Sequence, residues 1–366
     1  MRRACTSLLV GTGSLILVAV WLLGVARAQQ PAPTYPLDDK LANEPAPWTV
    51  KGKWGARGNW GRWGEEDKRG MLNVITPEMI VKAAGLVRQG KVYALGEELY
   101  NDVPRIITPT RIGIQIIQEN DGYDRLAGRS GEFDPKRGQV AASFTFMHNH
   151  TGSHLDTFSH IYRENSVYNN APPPRPNGTV HGDAASVKFM VGRGVLLDVA
   201  RYKGTDPLPN GYWISLEDLQ NTAKAQKVEI QKGDILLVRT GWRKMWDEPG
   251  PDGKVDPAHT KWHQAQPGVG ADSLTFFNDM DIVAVGADNG ALEWGFGNPQ
   301  YVRKAFGGYA TGPLHPDFLW SRGAYIMELL NLDELAKDQT YEFLFVLGPL
   351  LLRGGIGVPV NPIAIR

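Results

Sequence analysis

Half of the chain's eight histidines, His148, His150, His154 and His160, fall within the thirteen residues HNHTGSHLDTFSH (148–160). A fold that accommodates this block must gather four imidazoles and Asp156 in a small volume. His150, His154 and Asp156 form an H-x3-H-x-D set, and imidazole with carboxylate is a donor combination that suits zinc, manganese or iron. The apolar run AASFTFM (141–147) just before it reads as a strand, and Gly152 permits a tight turn after it. The ligands are therefore expected on a strand end and its following turn, held rigidly and close together. His148 and His150 would share a face of that strand. With three ligands already supplied, His148 is expected to support the site rather than bind. A cluster held only by hydrogen bonds, or one that responds to pH, is the alternative.

Cysteine cannot contribute to such a site. The single cysteine among 366 residues is Cys5, so neither an internal disulfide nor a cysteine zinc site can form. It lies in the leader MRRACTSLLVGTGSLILVAVWLLGVARA (1–28), where Arg2 and Arg3 precede an apolar stretch and Ala26-Arg27-Ala28 is a small-x-small cleavage signal. Residues 1–28 are expected to be a signal peptide, making the mature protein periplasmic or secreted. A retained membrane anchor is the alternative, because the run approaches the roughly 18 residues that span a bilayer. Cleavage would remove Arg2, Arg3 and Arg27, turning a balance of 39 basic and 39 acidic residues into 36 against 39, a net charge of −3. Such a charge gives no basis for binding nucleic acid. No other apolar run is long enough for a stable membrane span.

Residues 29–47 (QQPAPTYPLDDKLANEPAP) are proline-rich and aperiodic, and read as an extended linker. Trp48, Trp54, Trp60 and Trp63 follow within sixteen residues. Their density predicts a rigid aromatic surface, either ordinary core and dimer contact or one wall of a substrate pocket. Beyond them strand and helix patterns alternate. Thr76-Pro77-Glu78 opens a helix through MIVKAAGLVRQG that stops at Gly90, and Ser215 with Asp218 caps LEDLQNTAKAQ. GVLLDV (194–199), GDILLVRT (233–240), DIVAVGAD, AYIMELL and YEFLFVL read as strands, with helices at DSLTFFNDM and LDELA. No repeat or internal linker appears, so residues 48–366 are expected to form a single α/β domain with a mixed sheet. The long loops 163–183 and 295–312 are candidates for function.

Other site classes are poorly supported. The chain lacks G-x-S-x-G, H-E-x-x-H and G-x-x-x-x-G-K-[ST] motifs, which argues against serine hydrolases, zincins and P-loop enzymes. His259 and His263 have i, i+4 spacing, but their polar surroundings are flanked by prolines. Asn149 and Asn177 begin glycosylation sequons too short to weigh.

HTGSHLDTFSH (150–160) resembles the H-x-G-T-H-x-D-x-P-x-H signature of the putative cyclase family, which includes bacterial kynurenine formamidases and isatin hydrolases. RWGEEDKRGMLNVIT (62–76), RGVLLDVARY (193–202), KGDILLVRTGW (232–242), VGADNGALE (285–293), His315 and GAYIMELLNLDEL (323–335) extend the likeness over roughly residues 54–366. The resemblance implies a swivelling β/β/α fold and a homodimer or higher homo-oligomer, with the N-terminal aromatic segment reaching towards a neighbouring subunit. It also implies one or two divalent metal ions (Zn or Mn) per subunit. By resemblance His150, His154 and Asp156 bind metal, with Asp156 able to bridge two ions, and His315 and Glu328 complete a binuclear site. His160 matches the general acid/base. Spacing alone does not rank His315 above His259 or His181.

Three departures from the family pattern stand out: Ser153 for Thr, Phe158 for Pro, and Ile and Val in GGIGVPVNP (354–362), where relatives carry Thr and Ser. The expected activity is metal-dependent hydrolysis of a small amide, cyclic or N-acylated and attached to an aromatic group, with Trp60, Trp63 and Phe158 lining the pocket. A lactone or ester hydrolase with the same centre, and a non-catalytic exported metal- or ligand-binding protein, are the alternatives.

Overall fold

The computed structural model describes residues 58–100, 114–120, 141–163, 165–245, 266–294 and 312–366. The leader, the proline-rich linker, Trp48, Trp54, His259, His263 and residues 295–311 lie outside them. Thirteen strands run through the described residues: β1 (Val92–Ala94), β2 (Gln115–Asn120), β3 (Ala142–Phe146), β4 (His154–Asp156), β5 (Met190–Asp198), β6 (Trp213–Ile214), β7 (Ile235–Arg239), β8 (Gly268–Val269), β9 (Ala284–Ala287), β10 (Tyr325–Glu328), β11 (Glu342–Leu347), β12 (Gly357–Pro359) and β13 (Ile363–Ile365). Nine of them form one mixed sheet in the order β1-β13-β11-β5-β7-β9-β10-β4-β12. The centre, β5-β7-β9-β10, is parallel, and both flanks are antiparallel.

The sequence explains this arrangement. Every residue of β7 and β9 is buried, as expected for parallel strands covered on both faces, where runs such as ILLV replace alternation. Nearer the edge, β11 alternates half-buried and buried positions. The helix Leu216–Ala225 carries the expected capping box: the Asp218 N–H donates to Ser215 Oγ (3.1 Å) and the Ser215 N–H donates to Asp218 Oδ2 (3.2 Å). The helix capped by Thr76 ends earlier than its apolar pattern suggests, at Ala84 rather than before Gly90. Gly85 is a poor helix former, and Leu86 and Val87 donate instead to Ala83 and Ala84, tightening the chain into i→i+3 turns. No helix among the described residues is long and apolar enough to cross a membrane.

One expectation changes in a way that matters for the site. The run AASFTFM does form a strand, but it is mostly exposed and, among the described residues, pairs only with β2, in a separate two-stranded ribbon. The ligand block is therefore not at the end of a core strand. Its second half forms a short strand of its own, β4, wholly buried between β10 and β12.

Candidate metal centre

The geometry starts from the pleat of β4. Side chains alternate between faces, so His154 and Asp156 share one face while Leu155 points into the hydrophobic core. In the antiparallel ladder Glu328 of β10 lies directly opposite His154, and Gly357 of β12 directly opposite Asp156. Residues opposite one another share a face, so sheet register alone brings Glu328 to His154 and Asp156. His150 enters from the preceding turn, where Gly152 adopts φ +61 as expected. Ser153, buried, holds that turn: its hydroxyl donates to the Leu329 carbonyl and accepts from the Glu97 N–H (2.9 Å). These are hydroxyl functions, which Ser153 keeps in place of Thr. Gly357 leaves room for the site, because a Cβ there would overlap the His150 ring.

Six side chains converge. His150 Nε2 and His154 Nε2 lie 3.2 and 3.7 Å from Asp156 Oδ1, and His315 Nε2 lies 3.5 Å from Asp156 Oδ2. Glu328 presents Oε2 to His154 Nε2 (3.1 Å) and Oε1 to His315 Nε2 (3.2 Å). The ring of His160 lies with its centroid 4.3 Å from that of His150. Two sets of potential ligand atoms, His150/Asp156/His160 and His154/Asp156/Glu328, each lie within 4.8 Å of one another and share Asp156. The structure thus assembles His150, His154, Asp156, His160, His315 and Glu328. His148 is exposed, and its Nδ1 accepts the His150 N–H (3.1 Å), a supporting contact on the turn rather than along a strand.

Electrostatics fit a cation site. Burial opposes ionisation of Asp156, yet His160, His150 and His315 hold its carboxyl well below the usual carboxylate range. Burial and the Asp156 charge oppose ionisation of Glu328, and His154 and His315 outweigh both. Burial, with repulsion from neighbouring histidines, pushes the His150 imidazole down to about 3 and also lowers His160. His154 and His315 go the other way: burial disfavours their charge, but the neighbouring carboxylates raise both. Both oxygens of Asp156 are buried without a well-directed hydrogen bond, a costly state for a carboxylate unless a cation compensates it. Buried oxygen and imidazole donors around shared carboxylates fit a divalent ion.

The residues expected to line a pocket divide. Trp60 and Trp63 are half-buried and pack on the core. Trp60 donates Nε1–H to the Trp320 carbonyl (2.7 Å) and meets the Trp320 ring edge-on, with centroids 4.8 Å apart, on the helical turn Pro316–Arg322 that directly follows His315. Phe158 is a correction. It has no exposed surface and packs between Tyr168 and Tyr325, with ring centroids 5.0 and 4.7 Å away. Gly70 and Gly182 make its slot, since a Cβ on either would press on the Phe158 ring. Phe158 therefore replaces the family's proline as a core residue. Phe158→Ala should cost about 3–5 kcal/mol of stability, measured by denaturant unfolding. A loss below about 1 kcal/mol would return Phe158 to the pocket wall.

One of the apolar residues in the loop 354–362 is also placed in the core. Val358 in β12 lies opposite Leu155, on the core face, and is fully buried. Its apolar side chain faces away from the ligand cluster.

One residue at the centre was not singled out from the sequence. Glu293, 3% exposed, places Oε1 2.5 Å from His315 Nδ1 and accepts the Leu314 N–H on Oε2 (2.8 Å). Its only sequence signal was its place in VGADNGALE, which carried no role.

Comparison with known proteins accords with this architecture. Residues 60–293 match the family model described as putative cyclase. The structure is similar to the crystal structure of a novel cyclase, at 33% identity and a TM-score of 0.73, over 84% of this chain and 99% of that one. It also shares its fold with isatin hydrolase A from Labrenzia aggregata bound to benzyl benzoate, at 19% identity and a TM-score of 0.52, over 78% of this chain and 97% of the other. An isatin hydrolase bound to the product analogue thioisatinate aligns at 17% identity and a TM-score of 0.53, over 79% and 98% of the two chains. Among curated proteins none matches. With its signature block folded into β4 and its matched segments spanning the central sheet, this chain belongs to the putative cyclase family.

Proposed function

We propose that this chain is an exported metal-dependent hydrolase that cleaves a small amide, cyclic or N-acylated, attached to an aromatic group. The observation that carries the reading is the sharing of Asp156 between two buried ligand sets, with Oδ1 facing His150 and His154 and Oδ2 facing His315. His150, His154, Asp156, His315 and Glu328 would hold zinc or manganese, as one ion or two. What a divalent ion supplies when bound is Lewis acidity, lowering the pKa of water towards about 7 and polarising a carbonyl oxygen. The likeness to isatin hydrolases supports a cyclic amide fused to an aromatic ring as the substrate class, and the leader 1–28 supports export.

His160 is the proton carrier in this reading. It is only half-buried, unlike the other five clustered side chains. When water adds to the amide carbon, an imidazole nitrogen of His160 takes the proton the water releases. It returns that proton to the nitrogen as the C–N bond breaks, so the leaving group departs as a neutral amine. Such transfer is typically worth about 10²–10⁴-fold.

His160→Ala is therefore expected to retain its metal while turnover falls by roughly that factor, tested with metal analysis and a panel of N-formyl arylamines, cyclic imides and lactones. Loss of metal in this variant would instead make His160 a ligand, a role its closeness to His150 and Asp156 also permits. Cleavage of the lactones alone would replace the amide reading with a lactonase.

A further inference from the structure

We propose that Glu293 is a positioning residue for His315, fixing the rotation and tautomer of the imidazole so that Nε2 presents its lone pair to the divalent ion. The inference rests on the metal-centre reading above. Both oxygens of Glu293 are committed to one short stretch of chain: Oε1 meets His315 Nδ1 at 2.5 Å, and Oε2 accepts the N–H of Leu314, the residue just before it. This grip holds the ring and the backbone that carries it together. With Nδ1–H donated to Glu293, the lone pair of a neutral imidazole sits on Nε2, the nitrogen that faces Asp156 and Glu328. Ligating histidines generally need such a partner on their other nitrogen.

The surrounding chain is built to aim this carboxylate. Leu292, immediately before it, is fully buried at φ +56, a left-handed conformation that a bulky side chain seldom adopts and that persists only when neighbours enforce it. Here they do. The Leu292 carbonyl accepts from the Val269 N–H (3.0 Å), and the Trp294 N–H donates to the Val269 carbonyl (3.1 Å), so Glu293 is pinned between two backbone bonds to β8. On its other side a Cβ at Gly312 would overlap the carboxylate.

Glu293→Gln tests the role. Glutamine puts an NH2 donor in place of one of the two oxygens, and His315 Nδ1 and the Leu314 N–H each meet a different oxygen here, so one of the two contacts loses its acceptor. Manganese binding to the metal-stripped full chain, followed by calorimetry, should weaken by roughly 10–100-fold in this variant, with the melting temperature of the stripped protein little changed. The same substitution in a His315→Ala background should add no further loss, because Glu293 acts through that ring. Glu293→Asp, which keeps the charge but shortens the reach, should fall between wild type and Glu293→Gln. It serves as the test if the glutamine variant fails to fold. Affinity within about twofold of wild type, or an equal loss with and without His315, would overturn the proposal. If the stripped wild-type chain binds no manganese, the same titrations are run with zinc; binding of neither ion means that the metal reading fails, and the role of Glu293 goes with it.

Discussion

Asp156→Asn protein, reconstituted with zinc or manganese, should bind neither ion at concentrations that saturate the wild type, and its hydrolytic activity should vanish. The expectation follows from position. Asp156 is the one side chain that faces both ligand sets, with different oxygens turned to different imidazoles. Asparagine preserves the shape but replaces an anionic oxygen with an NH2 group, which repels a cation and cannot donate a lone pair to it. Loss of a carboxylate that supports a ligand from outside costs about 10–100-fold in affinity, and loss of a shared ligand should exceed that. Metal content by elemental analysis, on protein whose circular dichroism is unchanged, checks the result. A variant that retains its full complement of metal would show that Asp156 is no ligand, and the arrangement of the centre would need to be redrawn.

Arg239→Met should be among the most damaging single changes to stability outside the metal centre. Arg239 lies at the C-terminal end of β7 with its side chain 5% exposed. Its guanidinium donates to Asp198 Oδ1 (3.1 Å), Asp206 Oδ2 (2.8 Å) and Asp333 Oδ1 (2.9 Å). Burial disfavours its charge, but the Asp288 and Asp198 carboxylates and the Asp206 hydrogen bond raise its pKa above the ordinary arginine value. Methionine retains much of the apolar stem and leaves the fully buried Asp198 without its deepest counter-charge. Breaking a buried pair in this way costs about 3–5 kcal/mol, which for a chain of this size lowers the melting temperature by on the order of 10 °C. Arg62→Met is the control. That guanidinium pairs with Asp281 at 2.7 Å but is 38% exposed, so its loss should cost no more than about 1 kcal/mol. Equal effects of the two substitutions would mean that the Arg239 cluster is not the buried junction described above.

Much of the site was legible before any tertiary structure. The H-x3-H-x-D spacing and the turn at Gly152 lead to the expectation that His150, His154 and Asp156 meet; that His154 and Asp156 share a face of a short strand of their own is a finding of the structure. Family resemblance supplied His315 and Glu328, which no local pattern distinguishes from other histidines and glutamates. The structure brings both to the cluster, Glu328 through the pairing of β10 with β4. Strand positions were equally readable where β-rich apolar runs are covered on both faces, as in β7 and β9.

Three features were not readable, each for a definite reason. The run 142–146 has the alternation of a strand, but periodicity cannot say which sheet it joins, and among the described residues it pairs only with β2. Phe158 looked like a pocket residue because it replaces a proline beside the ligands; its burial depends on two distant glycines that open a slot for its ring. Glu293 carries no local signature, since its approach to His315 is made by the loop held against Val269. The sequence by itself determined the kinds of donor, the local turn that gathers the first three, and the alternating elements of a mixed sheet. Only the tertiary structure decided how the remote His315 and Glu328, which the resemblance named, reach the cluster and that Glu293 joins them, because register between strands far apart in the chain is set by packing of the whole sheet, not by neighbouring residues.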